Sequence, residues 1–392
     1  MSIDDISTVF VEKIVPGGDG LAVNNGKKVF IPLSAPGDRL KARITEDHGS
    51  WMRAEILEII DYSACRIEPD CPQYGVCGGC SLQHLSYQMQ LSIKKAILDE
   101  TLAHAVKTGK GRQKETLPSI TVIPGKPWET RNRVSFHSIK SNTFPRCGLK
   151  ARRSGEVVPL EDCPAAASGI RRIMPQLLPP PGKDRFTLYS KDQTTIAETG
   201  TSRGTITLLN REITLDACSF FQSNAGVLES LVKELRIIAE KKACKTGTMA
   251  DLYAGVGTLS MFIADLFPKG VDLVEADSRA LELAKINLSS ILHTGTACRF
   301  FSKKVEEWAK KRNTGSYSLI VADPPRQGLP SALVTSLCNS PPPVFVYVSC
   351  NPATFARDFR MLTKSFSVES LFLFDFYPQT AHIEIMGTFI RK

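Results

Sequence analysis

No run of around 18 apolar residues occurs in the 392-residue chain, so no membrane-spanning helix is expected. The N-terminus, Met1-Ser2-Ile3-Asp4-Asp5, lacks a basic start and an apolar stretch. That argues against a secretory signal and for a cytoplasmic protein. No internal repeat or low-complexity tract is visible. With 42% apolar and 23% charged residues, the composition excludes wholesale disorder and supplies a packed core. The length suits about two to three domains. Eleven cysteines without a secretory context do not form a disulfide framework. They point to metal, catalysis or plain burial.

What the chain does have is a net charge of +9, and its location matters more than its size. Residues 101–200 hold 17 Lys and Arg against 8 Asp and Glu, while the rest holds 32 of each sign. A single segment carries the whole excess, which suits a surface facing a polyanion. Solvated lysines in a loop-rich region would explain it equally well, and charge alone does not separate the two.

Residues 8–60 read as short strands punctuated by Pro16-Gly17-Gly18-Asp19-Gly20, Asn24-Asn25-Gly26 and Pro36-Gly37-Asp38. The strands fall at 8–15, 28–31, 40–45 and 52–60, with a fifth in the turn-rich stretch, which suits a small OB-like barrel. A cysteine cluster occupies 66–92, and a helix is expected over about 87–106 from the spacing of Leu91, Ile93, Ile97, Leu98 and Leu102. Residues 107–127 read as a Lys-, Gly- and Pro-rich surface linker. The stretch 130–215 is β-like, with strands at 186–189 and 204–209.

From 216 the texture becomes regular strand–helix alternation. Strands are expected at 248–253, 271–275, 319–322 and 344–349, and helices at 258–266, 278–288 and from about 353. This argues a doubly wound parallel sheet, whose ligands sit at the carboxyl ends of its strands. The domain plan is therefore 1–65 barrel, 66–215 central β-rich domain, and 216–392 α/β Rossmann-like domain, with 93–125 packing on the last.

Asp251-Leu252-Tyr253-Ala254-Gly255-Val256-Gly257-Thr258 is a strand running into a glycine turn and a helix. Ser260 replaces the third glycine of a dinucleotide fingerprint, and the lysine of a phosphate loop is missing. Glu275, at the end of the next strand, is placed to take ribose hydroxyls. Together they favour a nucleoside cofactor without pyrophosphate, namely S-adenosylmethionine, over a purely structural turn. Asp323-Pro324-Pro325-Arg326 follows another strand. Amino-group methyltransferases often follow Asp-Pro-Pro with an aromatic that stacks on the base, and Arg326 there weakens that chemistry. Cys350 stands where a strand stops and a helix begins, an environment expected to favour thiolate and a nucleophilic role. Cys218, Cys244, Cys298 and Cys338 read as inert buried thiols.

Cys71-x5-Cys77-x2-Cys80, with Gly75, Gly78 and Gly79 between, is a thiolate cradle. Cys163 or Cys147 could complete it, and zinc and an iron–sulfur cluster are both allowed by the spacing.

In combination these pieces resemble the RNA uracil-5-methyltransferase family, in particular its 23S ribosomal-RNA members with an N-terminal TRAM domain. Phe220-Phe221-Gln222-Ser223-Asn224, the glycine turn, Asp323–Leu329, Ser349–Pro352 and His382-Ile383-Glu384 fall in the family's order. Cys71 to His84 matches its iron–sulfur segment, and Leu160-Glu161-Asp162-Cys163-Pro164 its fourth ligand. The resemblance implies a 4Fe–4S cluster on Cys71, Cys77, Cys80 and Cys163, with Cys147 left out. It places cofactor contacts on Gln222, Tyr253, Gly255, Thr258, Glu275 and Asp323. Thr258 stands where those enzymes often have Asn, and Tyr253 where they often have Phe. Cys350 is the implied nucleophile and Glu384 the base.

The implied activity is S-adenosylmethionine-dependent methylation of carbon 5 of an RNA uridine through a covalent cysteine–uracil adduct, by a monomer that binds RNA and no membrane. A tRNA T-loop uridine is the alternative substrate within this chemistry. A non-catalytic iron–sulfur protein that binds RNA or senses redox state is the alternative outside it. Without the family, Glu384 would read as a salt-bridged strand glutamate.

Overall fold

The computed structural model describes residues 3–107, 117–139, 146–198, 202–242, 247–291 and 296–392. Parts of the basic segment and of the stretch 107–127, together with Cys244, lie outside the described residues. No helix among those described is long and apolar enough to cross a membrane.

The strands Ile6–Ile14, Gly20–Asn24, Lys27–Ile31, Arg39–Asp47 and Trp51–Asp61 close into a barrel. Alternation drives the closure. In Arg39–Asp47, Leu40, Ala42 and Ile44 point inward between exposed Arg39, Lys41 and Arg43. The hairpin at Asn25-Gly26 takes positive φ at both residues, as a tight two-residue turn requires.

A five-stranded antiparallel sheet follows, in the order Thr194–Ala197, Arg185–Lys191, Arg133–Ile139, Arg146–Lys150, Val157–Pro159. It is interrupted by a short helix, Ser168–Ile173, that the β-like pattern did not announce.

The largest sheet has eight strands among the described residues. Their order is Cys298–Ser302, Val271–Glu275, Met249–Leu252, Leu319–Ala322, Val344–Ser349, Glu384–Arg391, Phe366–Phe374 and Ile120–Ile123. The first five are mutually parallel, and Glu384–Arg391 runs against both neighbours. Met249–Leu252 and Leu319–Ala322 are buried throughout because helices cover both faces. Leu228, Leu231 and Leu281 come from the helices Ala225–Lys242 and Ser278–Ser289 and pack on one face. Ile97, Leu333 and Phe355, from Tyr87–Lys107, Ser331–Asn339 and Pro352–Leu362, pack on the other. Between Met249–Leu252 and Leu319–Ala322 the strand order reverses direction, and the crevice there opens at the carboxyl ends.

Three expectations change. Cys218 is exposed and Cys298 and Cys338 are half-buried, where buried thiols were expected, because they lie at strand and helix ends rather than in the core. The described part of 107–127 is more than a linker, because Ile120–Ile123 pairs in parallel with Phe366–Phe374 and forms the sheet's edge. The helix expected over 258–266 is broken into Thr258–Met261 and a 3-10 turn, Ala264–Leu266, where the chain bends over the core with Met261, Ile263, Ala264 and Phe267 buried.

Candidate active site and cysteine pocket

Leaving Met249–Leu252, the chain takes positive φ three times in five residues, at Tyr253, Gly255 and Gly257. The two glycines serve different ends. A Cβ at Gly257 would lie 2.8 Å from Leu288 Cδ1, so close packing on the next helix excludes a side chain. A Cβ at Gly255 would meet nothing within 4 Å, which leaves the backbone open to a ligand. From beneath, Asp251 Oδ2 accepts bonds from Ser260 N (3.2 Å) and Oγ (2.6 Å). Across the turn, Glu275 accepts from Gly255 N at 2.9 Å and Asp277 N at 2.8 Å. Its carboxylate is thereby aimed, with lone pairs remaining for a diol.

This turn forms one wall of a cleft of about 680 Å³. Gln222, Tyr253, Gly255, Glu275, Asp323, Cys350 and Glu384 all line it. They come from six separate stretches of chain and meet at the strand ends. Thr258 does not join them; it opens its helix half-buried, away from the cleft lining. Arg326 lines the cleft too, and so do three side chains with functional groups that local patterning had not singled out: Phe220, Tyr377 and His382. Phe220 is 64% exposed, an aromatic face offered at the rim. The only sequence signal for Phe220 and His382 was their place inside the family motifs.

Cys350 precedes Asn351, whose side chain accepts from Ala353 N at 3.1 Å and caps the helix Pro352–Leu362. Asn351 Nδ2 and Thr354 Oγ1 also donate to the Arg326 carbonyl, at 3.0 and 3.2 Å. The cap that follows the cysteine therefore also fixes the Pro324-Pro325-Arg326 loop.

The thiol is not the ready thiolate expected from a helix start. Burial pushes Cys350 up to about 11, reinforced by Glu384 and Asp323 and opposed by Arg326. Cys350 stands outside the capped turn, where the helix end acts weakly, while two carboxyl groups face it. Glu384, 3% exposed, is held well above the usual carboxylate range by burial and by Asp323. Asp323 is raised to about 6 by burial, against the bond it accepts from Gln222. The two carboxyl groups are linked titrants. His382 is pushed down to about 4 by burial and nearby cations, so its ring is neutral at pH 7, and Arg326 Nη2 lies 3.5 Å from its Nδ1.

A second, much smaller cavity of about 20 Å³ is lined by Cys71, Cys77, Cys80 and Cys163. Cys147 is buried but lines a different hollow. Burial raises the thiols of Cys71, Cys77 and Cys163. Arg131 reaches in, donating from Nη2 to Gly79 O at 2.6 Å and to Cys80 Sγ at 3.4 Å. Burial works against its charge, yet Cys80, Cys163 and Cys77 hold its pKa above the ordinary value. Among the described residues, no three His, Cys, Asp or Glu side chains converge closely enough to hold a single metal ion.

The family described as tRNA (Uracil-5-)-methyltransferase matches residues 190–392, and the TRAM domain matches 5–57. An RNA methyltransferase of uncharacterised specificity from Treponema denticola is 30% identical, over 98% of this chain and 99% of its own. The 23S rRNA (uracil(1939)-C(5))-methyltransferase of Acidithiobacillus ferrooxidans is 27% identical, over 98% and 97%. The crystal structure of the Pyrococcus abyssi tRNA (uracil-54, C5)-methyltransferase with S-adenosyl-L-homocysteine superposes with a TM-score of 0.75 at 22% identity, covering 98% of this chain and 100% of that one. That likeness extends the shared fold across barrel, central sheet and eight-stranded sheet. With more than half of its length matched and a relative aligned end to end, the chain belongs to the RNA uracil-5-methyltransferase family, whose members use S-adenosylmethionine.

Proposed function

We propose that the protein methylates carbon 5 of a uridine in 23S ribosomal RNA through a covalent adduct on Cys350. The observation that carries this reading is the single cleft shared by Cys350, Glu384, Asp323, Gln222 and the open face of Gly255.

The methyl donor supplies an electrophilic methyl on a sulfonium; the residues must do the rest. Carbon 5 of uracil is too weak a nucleophile unaided. Cys350 sulfur adds to carbon 6, and the electrons of the 5,6 double bond move to an enolate ending on O4. Before it adds, Cys350 passes its proton to water in the open cleft, and a bound sulfonium cation would favour that loss. Gln222 has a buried Oε1 with no partner among the described residues. It and the Asp323 carboxylate beside it are neighbouring acceptors that suit the N3–H of uracil, the one donor on that edge of the base. Carbon 5 then takes the methyl, and the carbon–sulfur bonding pair leaves with the donor's sulfur. Glu384 removes the remaining proton from carbon 5. Those electrons rebuild the double bond and expel Cys350 as thiolate. Glu275 would hold the ribose of the donor, with Tyr253 and Gly255 beside it.

The uridine must leave its stack to enter, and the barrel with the basic segment 101–200 would supply the compensating grip on RNA. The full-length sequence similarity to 23S rRNA enzymes favours ribosomal RNA over tRNA; the barrel, which the tRNA enzyme shares, does not discriminate between them.

The group we assign to the cysteine pocket is a 4Fe–4S cluster on Cys71, Cys77, Cys80 and Cys163, a reading supported by the small cavity that all four line. A single zinc ion needs sulfurs about 2.3 Å from one point, whereas a cluster reaches thiols spread more widely around a cavity. A buried guanidinium against three sulfurs also suits thiolates better than thiols. When bound, the group would cross-link distant stretches of chain.

Mapping 5-methyluridine in ribosomal and transfer RNA, with and without the gene, tests the substrate. Loss at one 23S uridine is expected, and loss confined to tRNA sinks the ribosomal reading. Cys350→Ala is expected to abolish both activity and adduct.

A further inference from the structure

Glu384 sits opposite Phe374 in the sheet, and the intervening chain, 375–383, must loop back over the cleft. Hairpin loops longer than about five residues have no strongly preferred geometry of their own. This one is nevertheless buried. Asp375 is 0% exposed, Phe376 1% and Gln379 3%, and Gln379 holds a φ of 66°. It carries Tyr377 and His382 into the cleft and ends on Glu384.

The ties come from one face of the helix Tyr87–Lys107, at the three-and-four spacing of Tyr87, Gln90 and Lys94. Lys94 Nζ donates to Asp375 Oδ1 at 2.5 Å and to the Tyr377 carbonyl at 3.0 Å, with both members of the ion pair fully buried. Tyr87 OH donates to the other Asp375 oxygen at 2.8 Å and accepts from Gly125 N at 2.9 Å. Gln90 pairs twice with Gln379: its Oε1 accepts from Gln379 N, and its Nε2 donates to Gln379 Oε1, both at 2.9 Å. On the far side the Gln379 carbonyl accepts from Ser81 N and Leu82 N, next to Cys80. A buried lysine is costly unless paired, and pairing of this kind fixes geometry more than it adds stability.

We propose that Gln90 and Lys94 are positioning residues of the methyl-transfer reaction, locking loop 375–383 so that Glu384 meets the proton on carbon 5. The inference rests on Glu384 as the base. Neither residue lines the cleft; they act through the loop. A displacement of about 1 Å at a reacting group costs roughly 10²-fold in rate. That loss would fall on proton removal, the second half of the reaction, and leave addition of Cys350 largely intact.

The test compares wild type, Glu384→Gln, Lys94→Met with Asp375→Asn, and Gln90→Met. Each is given a 23S rRNA transcript and S-adenosylmethionine, and products are run on denaturing gels. Replacing both partners of the ion pair avoids an uncompensated buried charge. Gln90→Met leaves that pair intact and decides the matter should the double variant not fold. Turnover is expected to fall roughly 10²-fold with the KM for S-adenosylmethionine unchanged, and the methylated RNA–protein adduct should accumulate as it does in Glu384→Gln. Slow turnover without adduct, while Glu384→Gln accumulates it, overturns the positioning role alone. No adduct in Glu384→Gln overturns the base assignment and this inference with it.

Discussion

Gln222 donates from its amide nitrogen to Asp323 Oδ2 at 3.2 Å, joining a residue ahead of the helix Ala225–Lys242 to the loop behind the strand Leu319–Ala322. The bond favours the ionised form of a carboxyl that burial drives the other way. Gln222→Leu should therefore raise Asp323 above about 6. The acidic limb of the kcat/KM profile should move to higher pH, and activity at neutral pH should fall about 10-fold or more. An unmoved limb would separate Asp323 from the observed titration.

Cys350 should alkylate slowly near neutrality without nucleotide, because its thiol is raised to about 11. Reactivity toward iodoacetamide, followed by mass spectrometry of its peptide, should keep climbing up to that pH. Arg326→Met removes the one nearby positive charge that favours thiolate there, and should push the curve higher still. A plateau near pH 7 in the unliganded enzyme would contradict the electrostatics described.

The two glycines of the turn predict opposite phenotypes. Gly257→Ala drives a methyl into Leu288 at positive φ and should destabilise the protein by about 1–3 kcal/mol, read as a lower urea midpoint. Gly255→Ala has room but intrudes on the ligand side. It should lose only about 1 kcal/mol of stability while the KM for S-adenosylmethionine rises several-fold.

Asp251 is buried with its Oδ1 unpartnered among the described residues, and its carboxyl is pushed up to about 7 by burial. The folded protein therefore retains a proton that the unfolded chain gives up near the ordinary aspartate value. Stability from this group is present at low pH and is lost as pH rises through about 7. Asp251→Asn, which can still accept from Ser260, should raise Tm near pH 8 and flatten its decline between pH 4 and 8. Asp323 and Glu384 are shifted in the same direction and keep part of the slope in place. A variant melting below wild type near pH 8 would speak against it.

The strands Leu319–Ala322 and Val344–Ser349 were readable residue for residue, because a strand covered on both faces is an apolar run with polar or turn residues at its ends; Val271–Glu275 was readable as well despite Asp272, whose buried carboxylate is bonded by Arg299 and Tyr317. The residues Cys350, Asp323 and Glu275 could be placed at strand ends on the same ground. Their shared cleft, with Gln222 and Glu384, depends on the order in which the strands assemble, which local pattern does not encode. The protonation of Cys350 was misjudged for that reason: the helix start is visible in Asn351-Pro352, but the facing carboxyl groups come from 323 and 384. Arg326 and Tyr377 sit on loops whose direction is set by partners such as Asn351 and Lys94. Ile120–Ile123 has four residues in a proline- and lysine-rich neighbourhood, and it is a strand only because Phe366–Phe374 lies beside it.

That edge strand has a consequence for biosynthesis. Ile120 leaves the ribosome about 250 residues ahead of Leu371, its neighbour in the sheet. At about 5–20 residues per second, the segment waits roughly 10 to 50 s for its template. During that interval the helix Tyr87–Lys107 also has no sheet to cover, and its apolar side is open to chaperones or to another nascent chain. Slow translation or a truncated C-terminus should therefore show itself first as aggregation through the N-terminal third, well away from the residues that perform the chemistry.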